Sequence, residues 1–128
     1  MPEDVAELIA ADRYAALLGV ELVSSDPLIV ALDLTDEHTN FLGGAHGGAI
    51  YSLADVGLSL ASNRDGLRSV MVDSHLVAVK GAASGERLEA EVLPISEGRT
   101  IASYRIDVRR SDGRVVASFT GTTVRISS

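Results

Sequence analysis

His38-Thr-Asn40-Phe-Leu-Gly-Gly-Ala-His46-Gly47-Gly48-Ala-Ile-Tyr51-Ser-Leu-Ala-Asp55-Val-Gly-Leu-Ser-Leu-Ala-Ser-Asn63 is a glycine-rich loop running into a long apolar segment. From Gly47 to Asn63 the only acidic or basic side chain is Asp55. Its helical neighbours are Tyr51, Ser52, Ala54, Val56, Leu58 and Ser59. A helix that is apolar on nearly every side has to be buried. Arg64-Asp65-Gly66 ends it.

Upstream, residues 3–18 place Val5, Leu8, Ile9, Ala16 and Leu17 at helical spacing, with Gly19 as a stop signal, which predicts one helix. Residues 20–24 and 28–34 read as strands broken by Ser25-Asp26-Pro27, and a loop runs from Thr35 to His46. Downstream the chain reads as strands at 69–80, 86–96, 100–110 and 114–126. They are separated by Gly85, by Glu97-Gly98 and by Ser111-Asp112-Gly113. Asp112-Gly113 suits the positive-φ positions of a type I′ hairpin. Alternation is clear from Ile101 to Val108. Short hairpins make the sheet antiparallel. The expected architecture is α+β: a curved antiparallel sheet wrapped around one central apolar helix, with an N-terminal helix, in a single domain over residues 1–128.

Composition narrows the function. The chain has 128 residues, 46% apolar and 23% charged, enough to build one core. No apolar run approaches the roughly 18 residues that would cross a membrane. The N-terminal Met-Pro-Glu-Asp lacks a basic opening stretch, and there is no cysteine, so a cytoplasmic location is expected. With 11 basic and 18 acidic residues the net charge is 11 − 18 = −7, which argues against a nucleic-acid partner. Arg105, Arg109 and Arg110 are the only basic cluster, read as a solvated strand face beside Asp107.

The chemistry centres on Asp55. A short carboxylate is a poor choice inside a helix, and a buried charge costs several kcal/mol after relaxation. Two readings stand. One is a wet helix side on which Ser52 and Ser59 complete a polar stripe; the other is a carboxylate held in a dry cleft for base or nucleophile chemistry. Gly47 and Gly48 leave the first backbone N–H groups of the helix unshielded, where an oxyanion or a carbonyl can be bound. Gly-Lys-Ser/Thr is absent, as are a dinucleotide-binding context and a Gly-x-Ser-x-Gly elbow. His38, His46 and Asp55 match no standard metal spacing. His38 reads as a solvated loop residue, His75 as a hydrogen-bonded strand residue, and His46 as the group that orients the loop.

The segment from His38 to Asn63 resembles the PaaI-type branch of the hotdog-fold thioesterases, through Asn40, His46-Gly47-Gly48 and Asp55 at their mutual spacings. The similarity continues through Ser84-Gly85-Glu86-Arg87-Leu88, Glu97-Gly98-Arg99, Asp112-Gly113 and Gly121-Thr-Thr-Val-Arg-Ile. The resemblance implies hydrolysis of an acyl- or aryl-coenzyme A, without metal or redox cofactor. In that reading Asp55 attacks the thioester or activates water, the Gly47 N–H polarises the carbonyl, and Asn40 orients water or substrate. His46, Gly48, Asn63, Lys80 and Gly81 are the residues expected to bind the substrate and its coenzyme A. Ala78, Lys80-Gly81, Met71 and His75 depart from the branch's usual pattern and bear on acyl specificity and rate.

Gly47 and Asp55, eight residues apart on one helix, are separated by about 12 Å along its axis. One helix does not bring both to one carbonyl, so a homodimer with shared sites is expected, paired into a homotetramer as the resemblance implies. A non-catalytic acyl-CoA-binding module is the alternative, though it would have no need of Asp55. A hotdog dehydratase would want a His-Phe-Pro-type loop, which is missing, and a purely structural oligomer would not require a buried Asp opposite a glycine helix start.

Overall fold

The computed structural model describes residues 4–127. In chain order the elements are α1 (Val5–Ala11), α2 (Arg13–Leu18), β1 (Glu21–Ser25), β2 (Leu28–Asp33), α3 (Gly47–Asn63), β3 (Arg68–Ala78), β4 (Arg87–Glu97), β5 (Ile101–Arg110) and β6 (Val115–Ser127). The six strands form one antiparallel sheet in the order β1-β2-β4-β5-β6-β3. Hairpins join β1 to β2, β4 to β5 and β5 to β6, while α3 carries the chain from β2 across to the far edge, where β3 pairs with β6. The helix packs against β2 through β6, and α1 and α2 pack against it from the other side.

Two glycines set how closely α3 seats on the sheet. A Cβ on Gly57 would stand 3.0 Å from Val92 Cγ2 and 3.5 Å from Val30 Cγ2. On the sheet side, a Cβ on Gly121 would stand 2.9 Å from Phe119 Cε1 and 3.0 Å from Leu58 Cδ2. Leu53, Leu58, Ile106, Val108 and Phe119 are fully buried around this seat. Each such side chain removed from water stabilises the fold by about 1.5–3 kcal/mol. The apolar character of α3 is therefore what fixes it at the centre of the sheet.

The single N-terminal helix expected over 3–18 is two helices, and residue 3 lies outside the described residues. Asp12 interrupts it with an extended backbone (φ −85°, ψ 101°), and its carboxylate accepts the Ala15 N–H at 3.0 Å. The preference of aspartate for N-capping outweighs continuation of the helical pattern. The Asp112-Gly113 hairpin also differs from the type I′ expectation, because only Gly113 has positive φ (+85°). Arg110 N–H bonds to Arg114 O across a three-residue loop, Ser111 to Gly113, with glycine at the left-handed position.

Strand β3 carries a bulge. Its pairing with β6 skips a residue between Met71 and Asp73, so the inward side changes from Ser69 and Met71 to Ser74 and Leu76. One extra residue reverses which side chains face α3.

Candidate active site

The loop before α3 is held by histidines in two different ways. His46 is the N-cap, and its Nδ1 accepts the Gly48 N–H at 2.8 Å. A Cβ on Gly48 would press to 3.0 Å against that same nitrogen, so glycine is what lets the cap form. Ala49 and Ile50 N–H bond to His46 O. Among the described residues the Gly47 N–H donates to nothing, and a Cβ at Gly47 would meet no atom within 4 Å. The helix start thus offers one outward donor at the positive end of its dipole.

His38 is not the solvated residue expected from its loop position. It is 8% exposed. Nδ1 accepts the Thr35 N–H at 2.9 Å, which leaves Nε2–H to donate to Leu18 O at 2.7 Å. The ring ties the loop to the end of α2, and the His46 N–H bonds to His38 O at 2.7 Å. Two neighbouring contacts complete the loop. Asn40 accepts the Leu42 N–H at 2.9 Å through Oδ1, and the Ala45 N–H bonds to Ala82 O at 2.9 Å. Lys80 and Gly81, next to Ala82 in the chain, are both exposed, so the segment after β3 borders the helix start.

Asp55 lies two turns further along α3, on the stripe Gly48, Ser52, Asp55 and Ser59 that the sheet leaves uncovered. The polar-stripe reading is therefore correct as geometry, yet the carboxylate is half-buried. Burial first, and the negative charge of Asp12 second, raise its pKa above the ordinary carboxylate value. Among the described residues neither a hydrogen bond nor a cation contributes to holding the charged form. A carboxylate so placed is a stronger base than one in water.

Asn63 is not part of this cluster within the chain. It sits at the opposite end of α3, where its Nδ2 donates to Ser59 O and Ser69 O and its Oδ1 accepts the Ser69 N–H at 2.8 Å. These bonds clamp the helix end to β3, which is a structural use of the amide. His75 does not have the hydrogen-bonded setting expected of it. It points outward from the edge strand β3, exposed, with no side-chain hydrogen bond among the described residues.

Sequence reading missed three residues here. Tyr51, one turn before Asp55, hydrogen-bonds Ser74 (Oη to Oγ, 2.7 Å) and lies 3.9 Å from Met71 Sδ, its ring edge-on to Phe119. Hydroxyls therefore reach this region beside Met71, and the bulge in β3 is what turns Ser74 toward them. No sequence signal announced the bulge. Asp12 is the third; its only signal was a polar, cap-forming residue in mid-helix.

A groove of about 390 Å³ between α2 and the first half of α3 is lined by Tyr14, Leu18, His38, His46, Gly48 and Ser52. Larger hollows, of about 430 and 510 Å³, lie among Arg87, Glu89 and Asp107 on the outer sheet face and around Arg64 and Glu97. Neither contains the helix start or Asp55. Among the described residues no group of three or more His, Asp or Glu side chains could hold a metal ion, and no helix is long and apolar enough to cross a membrane.

The model of the thioesterase superfamily matches residues 42–117. A Deinococcus radiodurans protein whose name describes it provisionally as an esterase is 43% identical over 115 residues, covering 88% of this chain and 78% of its own. The Escherichia coli acyl-coenzyme A thioesterase PaaI is 28% identical over 117 residues, covering 90% and 84%. Its solved structure matches with a TM-score of 0.90 at 25% identity, covering 95% of this chain and 90% of the other. The structure of a Thermus thermophilus PaaI variant matches at 0.85 and 33% identity, covering 90% and 100%. This chain belongs to the thioesterase superfamily, in its PaaI-type hotdog branch.

Proposed function

We propose that this protein hydrolyses acyl- or aryl-coenzyme A thioesters to the free acid and coenzyme A, in active sites shared between two subunits. The observation that carries the reading is Asp55, a half-buried carboxylate with no cation or hydrogen bond among the described residues to hold its charge, on the same helix as a backbone donor at Gly47 that no described residue uses. The names of PaaI and of the human acyl-coenzyme A thioesterase 13, 27% identical over 121 residues, support the substrate class. So does a Streptococcus mutans protein solved with acetyl-CoA, 27% identical with a TM-score of 0.81.

A thioester needs a positive pole at its oxygen and a nucleophile at its carbon. The Gly47 N–H serves the first need, and one such donor lowers the barrier by about 3–4 kcal/mol. Asp55 serves the second. It either attacks the carbonyl carbon, expelling coenzyme A thiolate and leaving an anhydride for water to cleave, or deprotonates the attacking water. Asn40 orients water or substrate, His46 and Gly48 hold the helix start in shape, and Lys80 with Gly81 meets the coenzyme. No metal or redox cofactor enters, and the cytoplasmic placement expected from the sequence goes with this reading.

The partner is a second copy of the chain, and several features support it. The edge strand β3 is eleven residues long, and Val70, Val72 and Val77 on it, with Val79 just after it, are between 45% and 60% exposed. A long apolar edge invites a further strand. Phe41, at 96% exposure, and Leu42, at 80%, stand bare beside the helix start. Pairing β3 edges about a twofold axis runs two α3 helices antiparallel, Asp55 of each level with Gly47 of the other. Dimers then pair into tetramers.

The test measures thiol release from a panel of short, medium, long and aromatic acyl-CoAs, with Asp55→Asn beside wild type. Turnover of at least one member by wild type, largely lost in Asp55→Asn, is expected. Binding of acyl-CoA without release of coenzyme A by any member would favour the binding-module reading instead.

A further inference from the structure

We propose that Phe41, at the tip of the loop before α3, seats in a hollow at the C-terminal end of the partner subunit's α3 and so clamps together the two halves of a shared site. This rests on the shared-site reading above. The loop closes at its base through the His46 N–H bond to His38 O and the pairing of Thr39 with Ala45. Its tip is a tight turn. The Gly43 N–H bonds to Asn40 O at 2.9 Å, Gly43 has positive φ (+89°), and the Asn40 side chain accepts the Leu42 N–H. The turn holds Phe41 almost fully exposed. An aromatic ring carried on a fixed turn is a preorganised anchor for an interface pocket.

The hollow has a volume of about 290 Å³ and is lined by Ser62, Leu67, Ile101, Tyr104, Thr123 and Arg125. Ser62, Tyr104 and Thr123 are buried, while Leu67 and Ile101 leave an exposed apolar rim. Arg125 Nε is also buried, and among the described residues it has no hydrogen-bond partner. A phenyl ring answers both features, since it covers the rim and offers the guanidinium a π face. The seventeen residues of α3, about 25 Å of helix, separate the loop from the hollow of its own chain. A second copy does not face that barrier. Ser62 follows Asp55 by seven residues, two helical turns, so both face the same way from α3. With Asp55 level with the partner's Gly47 and the helices antiparallel, the turns beyond Asp55 run beside the chain that precedes that glycine. Asp55 and Ser62 are about 10 Å apart along the axis, within reach of a tip six residues ahead of Gly47. The twofold axis makes two such contacts per dimer, each tying Asn40 and Gly47 of one subunit to the helix that carries the other's Asp55.

The chain has no cysteine, so engineered thiols report the contact without background. Phe41→Cys/Leu67→Cys treated with a short bis-maleimide is expected to run as a covalent dimer on a denaturing gel, and either single variant as a monomer. Phe41→Ala is expected to raise the dimer dissociation constant by at least about 100-fold in sedimentation equilibrium, because two rings leave each interface. A wild-type dimer that gives no cross-link between positions 41 and 67 would overturn the proposal, as would an unchanged dissociation constant in Phe41→Ala. Loss of turnover in Phe41→Ala with the dimer intact would assign the ring to substrate instead. A wild type that is monomeric by mass would overturn the shared-site reading as well. Neither readout uses activity, so absence of turnover bears on the thioesterase chemistry alone.

Discussion

His38→Ala should unfasten the loop that leads into Gly47 and α3, and the cost follows from two hydrogen bonds. The Nε2–H bond to Leu18 O, at 2.7 Å, is partly buried, and the carbonyl it leaves behind is only partly reached by water. The bond from Thr35 N–H to Nδ1, at 2.9 Å, is cheaper to lose because Thr35 is exposed. A stranded buried partner costs about 1–3 kcal/mol and a replaceable bond about 1 kcal/mol, so the sum is about 2–4 kcal/mol. With a urea slope of about 2 kcal/mol/M, the midpoint of unfolding should fall by about 1–2 M. Urea titration followed by circular dichroism measures it, and His38→Gln, which keeps a donor and an acceptor, should recover part of the loss. A midpoint for His38→Ala corresponding to less than about 0.5 kcal/mol would place His38 among ordinary surface residues and refute the latch.

Asp55→Asn should be as stable as wild type or more stable at neutral pH. The folded-state pKa of Asp55 is raised, so the folded protein holds that proton more tightly than the unfolded chain. Its favourable contribution is complete below the unfolded pKa and is lost as the pH rises through the folded one. The advantage of Asn should therefore shrink on acidification to pH about 3, below the ordinary aspartate pKa, where both side chains are largely neutral. Urea midpoints at the two pH values decide it, and an advantage that does not change with pH would contradict the assignment. Lys80→Ala should raise KM for coenzyme A esters with little change in kcat, since Lys80 is exposed beside the helix start and its charge aids ground and transition states alike. Equal effects on small thioesters lacking the nucleotide would show that Lys80 acts elsewhere.

Much of this molecule was legible as sequence because its strongest signals are local. Two glycines and an uninterrupted apolar run defined α3 from Gly47 to Asn63, and the strand boundaries fell within about two residues of those observed. The lone charge in that run drew attention to Asp55 for the reason that makes it unusual in the fold. What was missed depends on partners distant in sequence. His38 is buried because Leu18, twenty residues away, offers a carbonyl. The bulge at Val72 exists only in the pairing with β6, and it alone decides that Ser74 faces α3. Asp12 fits an amphipathic pattern on paper, while its capping of Ala15 breaks the helix in space. The bonds of the Asn63 amide to the backbone of Ser69, across the end of α3, likewise appear only in the fold.

Subunit complementation tests the central claim most directly. Asp55→Asn lacks the carboxylate, and Gly47→Leu covers the backbone N–H; a Cβ at Gly47 meets no described atom of its own chain within 4 Å, so that variant should fold. Each is expected to be inactive alone. After dissociation and random reassociation of equal amounts, half the dimers are mixed, and each of those holds one intact site and one doubly damaged site. The mixture should recover roughly a quarter of wild-type thioesterase activity. Exchange demonstrated by mass, with activity remaining at the level of the single variants, would contradict an active site built from Asp55 of one subunit and Gly47 of the other.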